Sequence, residues 1–132
     1  MHEWSLAEAV VEAVASFARE HGSKRVKLVR ISLGELQAVD VGIFKEALSL
    51  LGESVEPRIE GFQLEREKAV LLCRGCYETL LLEELSLSDE EREAVHFVPE
   101  LLHAYAKCPR CGSSDLDVIR GRGVSIKSIE AE

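Results

Sequence analysis

Val26–Leu36 reads VKLVRISLGEL, and the conformation of this stretch decides the fold. Its first eight residues are rich in β-branched and aliphatic side chains, with Val29, Ile31 and Leu33 spaced to share one face, so Val26–Leu33 reads as a strand. Gly34-Glu35-Leu36 ends it. Ahead of it, Leu6, Val10, Ala13, Val14 and Phe17 recur at helical spacing and form one apolar stripe. Ser5 followed by Glu8 has the form of a capping box, which places the helix start near Ser5 and leaves Met1–Glu3 just outside it. His21-Gly22 closes this helix, glycine being a frequent left-handed cap. Beyond the strand, Asp40 suits the N-cap of a second helix. That helix turns Ile43, Phe44, Ala47, Leu48 and Leu51 inward and stops at Gly52.

Further outward, Ile59–Glu67 alternates through Phe62 and Leu64 as a second strand, and Val124, Ile126 and Ile129 mark a third. This order predicts an α/β (α+β) domain, a small three-stranded sheet packed with two helices, over residues 1–68 and 116–132. Residues 69–115 form an insert that carries all four cysteines. Ser88-Asp89-Glu90-Glu91 repeats the capping-box pattern, so a short helix is expected between the cysteine pairs. Gly121-Arg122-Gly123 is too short to cradle a phosphate and reads as a hairpin turn.

The chain has 132 residues, enough for one domain with a small insert. An apolar fraction of 46% beside 30% charged residues describes a soluble globular protein rather than a disordered one. Apolar runs are strand-length and the opening lacks the pattern of a signal peptide, so the expectation is a cytoplasmic protein without a membrane span. A net charge of −8 argues against nonspecific binding to nucleic acid. The insert, with four basic and nine acidic residues, is the more acidic part, opposite to a nucleic-acid-binding zinc ribbon.

Cys73-x-x-Cys76 and Cys108-x-x-Cys111 carry the most specific chemistry. Two thiolates separated by two residues grip one ion, and two such grips complete the tetrahedron that suits zinc. Pro109 and Gly112 give the second knuckle its tight-turn form. Two disulfides, independent buried thiols, or iron held as in rubredoxin-like carriers are the competing readings. In a cytosolic chain paired cysteines more often hold metal. A closed set of four sulfurs leaves no open coordination position, and no nucleophile elbow, phosphate loop or zincin motif appears. An enzyme is not expected.

His2 and Glu3 read differently beside this set. Nickel and copper ions accept planar nitrogen donors, and a histidine at position 2 offers its imidazole, its own backbone nitrogen and a neighbour's. Met1-His2-Glu3 with Ser5-Leu6, then Gly34-Glu35-Leu36, the two knuckles with CPxCG, and Ile126-Lys127-Ser128-Ile129-Glu130 together resemble the HypA/HybF family along the whole chain. The longer stretch between the knuckles resembles the archaeal type, and Trp4 replaces the leucine more common after Met-His-Glu.

The resemblance implies a nickel metallochaperone for [NiFe]-hydrogenase maturation. Nickel would be transient cargo at His2 and Glu3, with structural zinc at Cys73, Cys76, Cys108 and Cys111. It also implies a HypB-type GTPase and the hydrogenase large-subunit precursor as partners. A planar ion wants four donors, so His96 is a candidate for the fourth, with the Met1 amine as the local alternative. His21 reads as a surface residue and His103 as a packed one. The competing function is a zinc-ribbon docking adaptor that transfers no nickel.

Overall fold

The computed structural model describes residues 3–132, which divide into two compact units. The first comprises residues 3–32, Val39–Glu65 and Ser125–Glu132; the second comprises Leu33–Ala38 and Arg66–Val124.

In the first unit, helix α1 spans Glu3–Glu20 and helix α2 spans Val41–Glu53. Helix α1 starts two residues before the predicted Ser5. An acidic residue in the first turn suits the positive end of the helix, and Glu3 supplies it. The buried stripe is also rotated from the predicted one. Ala7, Val10, Val11, Val14, Ala15 and Ala18 face inward, while Ala13 and Phe17 are exposed. Two adjacent stripes satisfied the same periodicity. The alanine-rich one lets α1 and α2 pack closely, because small side chains shorten the distance between helix axes.

Asp40 caps α2 as expected, its Oδ1 accepting from the Ile43 amide at 3.0 Å. Phe44, Ala47 and Leu48 are buried, but Ile43 is turned to solvent. Gly52 does not stop this helix, which continues to Glu53 and is capped by Ser54. Its small size serves packing, since a Cβ there would lie 3.0 Å from the Phe62 ring.

Strand β1 (Val26–Gly34) is the centre of a three-stranded sheet, flanked by β2 (Phe62–Glu67) and by β6 (Val124–Ala131). Val26, Val29, Ile31 and Leu33 are all buried. Ile59, predicted to open β2, instead makes an isolated parallel bridge with Val26. At the exposed edge, Arg25 pairs with Glu60, and Lys27 meets Glu132 at 2.7 Å.

The second unit contains an antiparallel sheet of β3 (Val70–Cys73), β4 (Thr79–Leu81) and β5 (Leu116–Arg120), with β3 in the middle. The register sets Leu71 opposite Leu80 and Cys73 opposite Leu116. Its core is aliphatic: Leu36, Leu71, Leu80, Leu82, Leu85, Val95, Leu102 and Leu116. Helix α3 (Asp89–Phe97) begins with the predicted capping box, Ser88 Oγ accepting from the Glu91 amide and Glu91 Oε1 from the Ser88 amide. A further short helix, α4 (Leu102–Tyr105), delivers Leu102 to the core.

Three passages of chain meet tightly in this unit. The Glu35 amide donates to Glu67 O at 2.8 Å and the Leu36 amide to Gly121 O at 2.9 Å. Glu35 Oε1 accepts from the Ala69 amide at 2.8 Å, and Glu67 Oε1 from the Gly121 amide at 3.1 Å. Gly121 sits at φ +86°, and a Cβ on it would collide with the Ala69 backbone. Gly123 has a similar φ of +80° but open space around it. Gly121→Ala is therefore expected to destabilise by at least about 2 kcal/mol, while Gly123→Ala bears backbone strain alone, about 1 kcal/mol. Urea unfolding of the two variants side by side measures the difference, and equal losses would contradict the close approach.

Candidate metal centre

Strand β3 ends on Cys73, and the chain turns back at once: the Tyr77 amide donates to Cys73 O at 2.7 Å. The second knuckle repeats this closure, the Gly112 amide donating to Cys108 O at 2.9 Å. Gly112 takes a left-handed φ of +77° there, and Tyr77 takes φ +61° at the equivalent place in the first knuckle. Tyr77 is the only non-glycine with positive φ among the described residues. Left-handed backbone costs a side-chain-bearing residue roughly 1–2 kcal/mol, so the first knuckle is held in shape by what surrounds it. Gly75 has its own constraint, since a Cβ would lie 2.9 Å from Ser113 Cβ and 3.1 Å from Cys111 Sγ.

These turns bring the Sγ atoms of Cys73, Cys76, Cys108 and Cys111 within 4.8 Å of one another. Cys73 and Cys111 approach to 3.4 Å, and Cys76 and Cys108 to 3.8 Å. A tetrahedron with zinc–sulfur bonds of about 2.3 Å has edges of about 3.8 Å, so the donor set fits such an ion in size and chemistry. Cys73 and Cys108 are buried, Cys76 is half-buried and Cys111 is exposed.

Protons are unevenly shared within this set. Burial opposes a charge on Cys108, but the amides of Cys111 and Arg110 favour it more, and its thiol falls to about 7. The Glu78 amide favours a thiolate at Cys76. Burial and the three neighbouring sulfurs outweigh that and push Cys76 up to about 12. Cys111 is pulled down by the Ser113 amide and pushed further up by the Cys73 sulfur and burial. Cys108 is thus the sulfur whose charge its surroundings favour, and Cys76 and Cys111 are those whose charge they oppose.

The other candidate ligands are placed as follows. His2 lies outside the described residues. Glu3 opens α1, where backbone N–H groups lack intrahelical partners. Its Oε1 accepts from the Asp40 amide at 3.2 Å, the leading cause that holds its carboxyl below the ordinary value. His96 belongs to the second unit, in the last turn of α3. It is half-buried and lines a cavity of about 300 Å³ with Glu35, Arg66, Glu67 and Lys68. His103 is exposed on α4 rather than packed. His21 stacks on Phe17 with ring centroids 4.1 Å apart. Sequence reasoning missed the Glu35 and Glu67 carboxylates as acceptors of backbone amides. The Gly34-Glu35-Leu36 motif was the available signal.

A small protein with a four-cysteine centre on turns between short strands defines the class. Residues 1–131 match the family described as HypA, hydrogenase/urease nickel incorporation, metallochaperone. The hydrogenase maturation factor HypA of Thermococcus gammatolerans is 43% identical over 134 residues, covering 100% of this chain and 96% of the relative. That of Pyrococcus furiosus is 42% identical with the same coverage. The solution structure of the nickel metallochaperone HypA from Helicobacter pylori superposes with a TM-score of 0.66 at 19% identity. It covers 99% of this chain and 97% of that one, a likeness of fold. The chain belongs to the HypA family of hydrogenase-maturation metallochaperones and is not an enzyme.

Metal uptake by the four sulfurs must displace their protons, and burial with the neighbouring sulfurs raises the Cys76 and Cys111 thiols above their ordinary values. Affinity for cobalt as a tetrahedral probe is therefore expected to rise steeply from about pH 6 to about pH 8. Optical titration of thiolate-to-cobalt absorption measures it. Cys73→Ala should remove most of that absorption, whereas a pH-independent affinity would mean that fewer sulfurs bind.

Proposed function

We propose that this chain carries nickel as cargo at its N-terminus, through His2 and Glu3, and delivers it during maturation of a [NiFe]-hydrogenase. Cys73, Cys76, Cys108 and Cys111 hold zinc as a structural ion. The observation that carries this reading is the family match over residues 1–131, which includes the Met-His-Glu opening. The chemistry supports it, because an imidazole and two backbone nitrogens form small chelate rings suited to a planar nickel ion and not to tetrahedral zinc. Glu3 adds a local feature: its carboxylate is engaged with the Asp40 amide, so its nitrogen is the atom left to donate.

The partners follow from the same reading. A HypB-type GTPase and the hydrogenase large-subunit precursor are the proposed giver or receiver of the ion, in the cytoplasm. No helix is long and apolar enough to cross a membrane among the described residues. His96 is the proposed further donor. Its imidazole has the softness nickel favours, and it is not committed to the four-sulfur centre.

The deciding experiment is calorimetric nickel titration of zinc-loaded protein. His2→Ala should weaken nickel binding by at least about a hundredfold, some 2.7 kcal/mol, while zinc content and unfolding midpoint stay unchanged. Imidazole must be neutral to bind, so wild-type affinity should fall as pH drops through about 6.5. His96→Ala should lower affinity while His103→Ala should not. Wild-type affinity in His2→Ala would leave the docking adaptor as the surviving reading.

A further inference from the structure

Three of the nine large apolar side chains left open to solvent among the described residues fall within one short passage of the second unit. Phe97 is 71% exposed, Val98 45% and Tyr105 41%. Phe97 ends α3, Val98 follows it, and Tyr105 ends α4, with one tight turn, Pro99–Leu101, between the two helices. The opposite side of the same passage is already spent on the core, to which it gives Val95, Leu102 and Ala106. Packing of the unit therefore accounts for one apolar side and leaves the other facing water.

The charge around this open side is one-signed. Residues 83–105 hold seven acidic residues and one basic residue, Arg92. Four of the acids are engaged: Glu83 with Lys68, Glu100 with Arg122, Glu84 with the Leu81 amide, and Glu91 with the Ser88 amide. The Arg92 guanidinium donates to the Leu85 carbonyl. Asp89, Glu90 and Glu93 are exposed and make no ion pair among the described residues. Glu93 and Glu90 precede Phe97 by one and two helical turns and share its face. The positive pole of α3 favours Asp89 and Glu90, but Glu93 lies beyond the first turn and gains little from it.

We propose that Phe97, Val98 and Tyr105, edged by Asp89, Glu90 and Glu93, are a docking surface for a cationic amphipathic helix of a partner protein. Charge selects the occupant. A second copy of this chain would set the same carboxylates against themselves, and a nucleic acid or an anionic lipid surface would be repelled. The passage is helical and presents no strand edge, so an extended segment finds no ladder to join. A helix instead lays apolar side chains on the aromatic centre while its lysines and arginines meet the carboxylates at the rim. None of the six residues is a candidate metal ligand, so the surface stands apart from the nickel and zinc readings.

The probe is a synthetic amphipathic helix of leucine and lysine, roughly 18 residues long, with a leucine–glutamate helix of equal length as its counterpart. Each is titrated into the isotope-labelled full chain and followed through the amide signals. The lysine helix should shift the signals of α3 and α4, and the glutamate helix should not bind. Phe97→Ser should weaken the lysine helix by about tenfold or more, as loss of an aromatic anchor does. Ile119→Ser, at a 50% exposed apolar residue on β5, should leave it unchanged. Replacing Glu90 and Glu93 together by Gln should weaken binding at low salt and flatten its salt dependence. All these positions are exposed, so urea midpoints should stay near wild type; if that of Phe97→Ser does not, the paired Gln variant decides. Absence of binding, contact mapped to other elements, equal binding of the glutamate helix, or affinity indifferent to these changes overturns the proposal. Sedimentation that shows a dimer dissolved by Phe97→Ser would give the surface to a second copy and overturn it as well.

Discussion

Four sulfur atoms held within 4.8 Å of one another set the terms for the whole second unit. Without a cation only a fraction of them can ionise, as the opposed shifts of Cys108 and Cys76 display. With one, all four become charged ligands, and the free energy of that change is available to folding. The surrounding structure is correspondingly slight. Strands β3, β4 and β5 are 4, 3 and 5 residues long, and the core between them is a single aliphatic cluster. Small modules of this kind commonly depend on a metal because their cores bury too little surface.

The backbone at the knuckles follows from the same demand. Gly75 yields room to Cys111 Sγ and Ser113, and Gly112 and Tyr77 both take left-handed turns so that an amide can close each loop. Elsewhere in the unit, Glu35 and Glu67 give their carboxylates to backbone amides, Ala69 and Gly121. Such acceptors do for irregular chain what neighbouring strands do for a sheet, satisfying groups that burial would otherwise leave unpaired.

Much of this was legible in the residues. The three-stranded sheet, the two long helices, the Asp40 cap and the Ser88 capping box all came from local patterns whose physics is local. The cysteine spacing pointed to the four-sulfur cluster for a similar reason, because two residues between thiols is a chelate geometry. What failed was decided by neighbours distant in sequence. Periodicity could not choose between two overlapping stripes on α1, since the choice rests on how closely α2 approaches. Gly52 looked like a helix stop because its actual reason, the Phe62 ring, lies ten residues away on another element. The helix start was misplaced by the Ser5–Glu8 pattern because Glu3 has a competing partner in Asp40.

That Glu3–Asp40 contact also bears on the electrostatic potential a cargo ion would meet. The N-terminal end of α1 carries the positive pole of an 18-residue helix, where a cation is disfavoured by about 0.3–1 kcal/mol. An ion bound through the Glu3 nitrogen would sit at that pole. The Glu3 and Asp40 side chains place carboxylates close by and offset part of the field, yet each is already engaged by a backbone amide, of Asp40 and of Ile43. Chelation there would be opposed by the helix and only partly relieved by its anions. A carrier benefits from such a balance, because a site that binds through geometry against an adverse field gives up its ion when the geometry is disturbed.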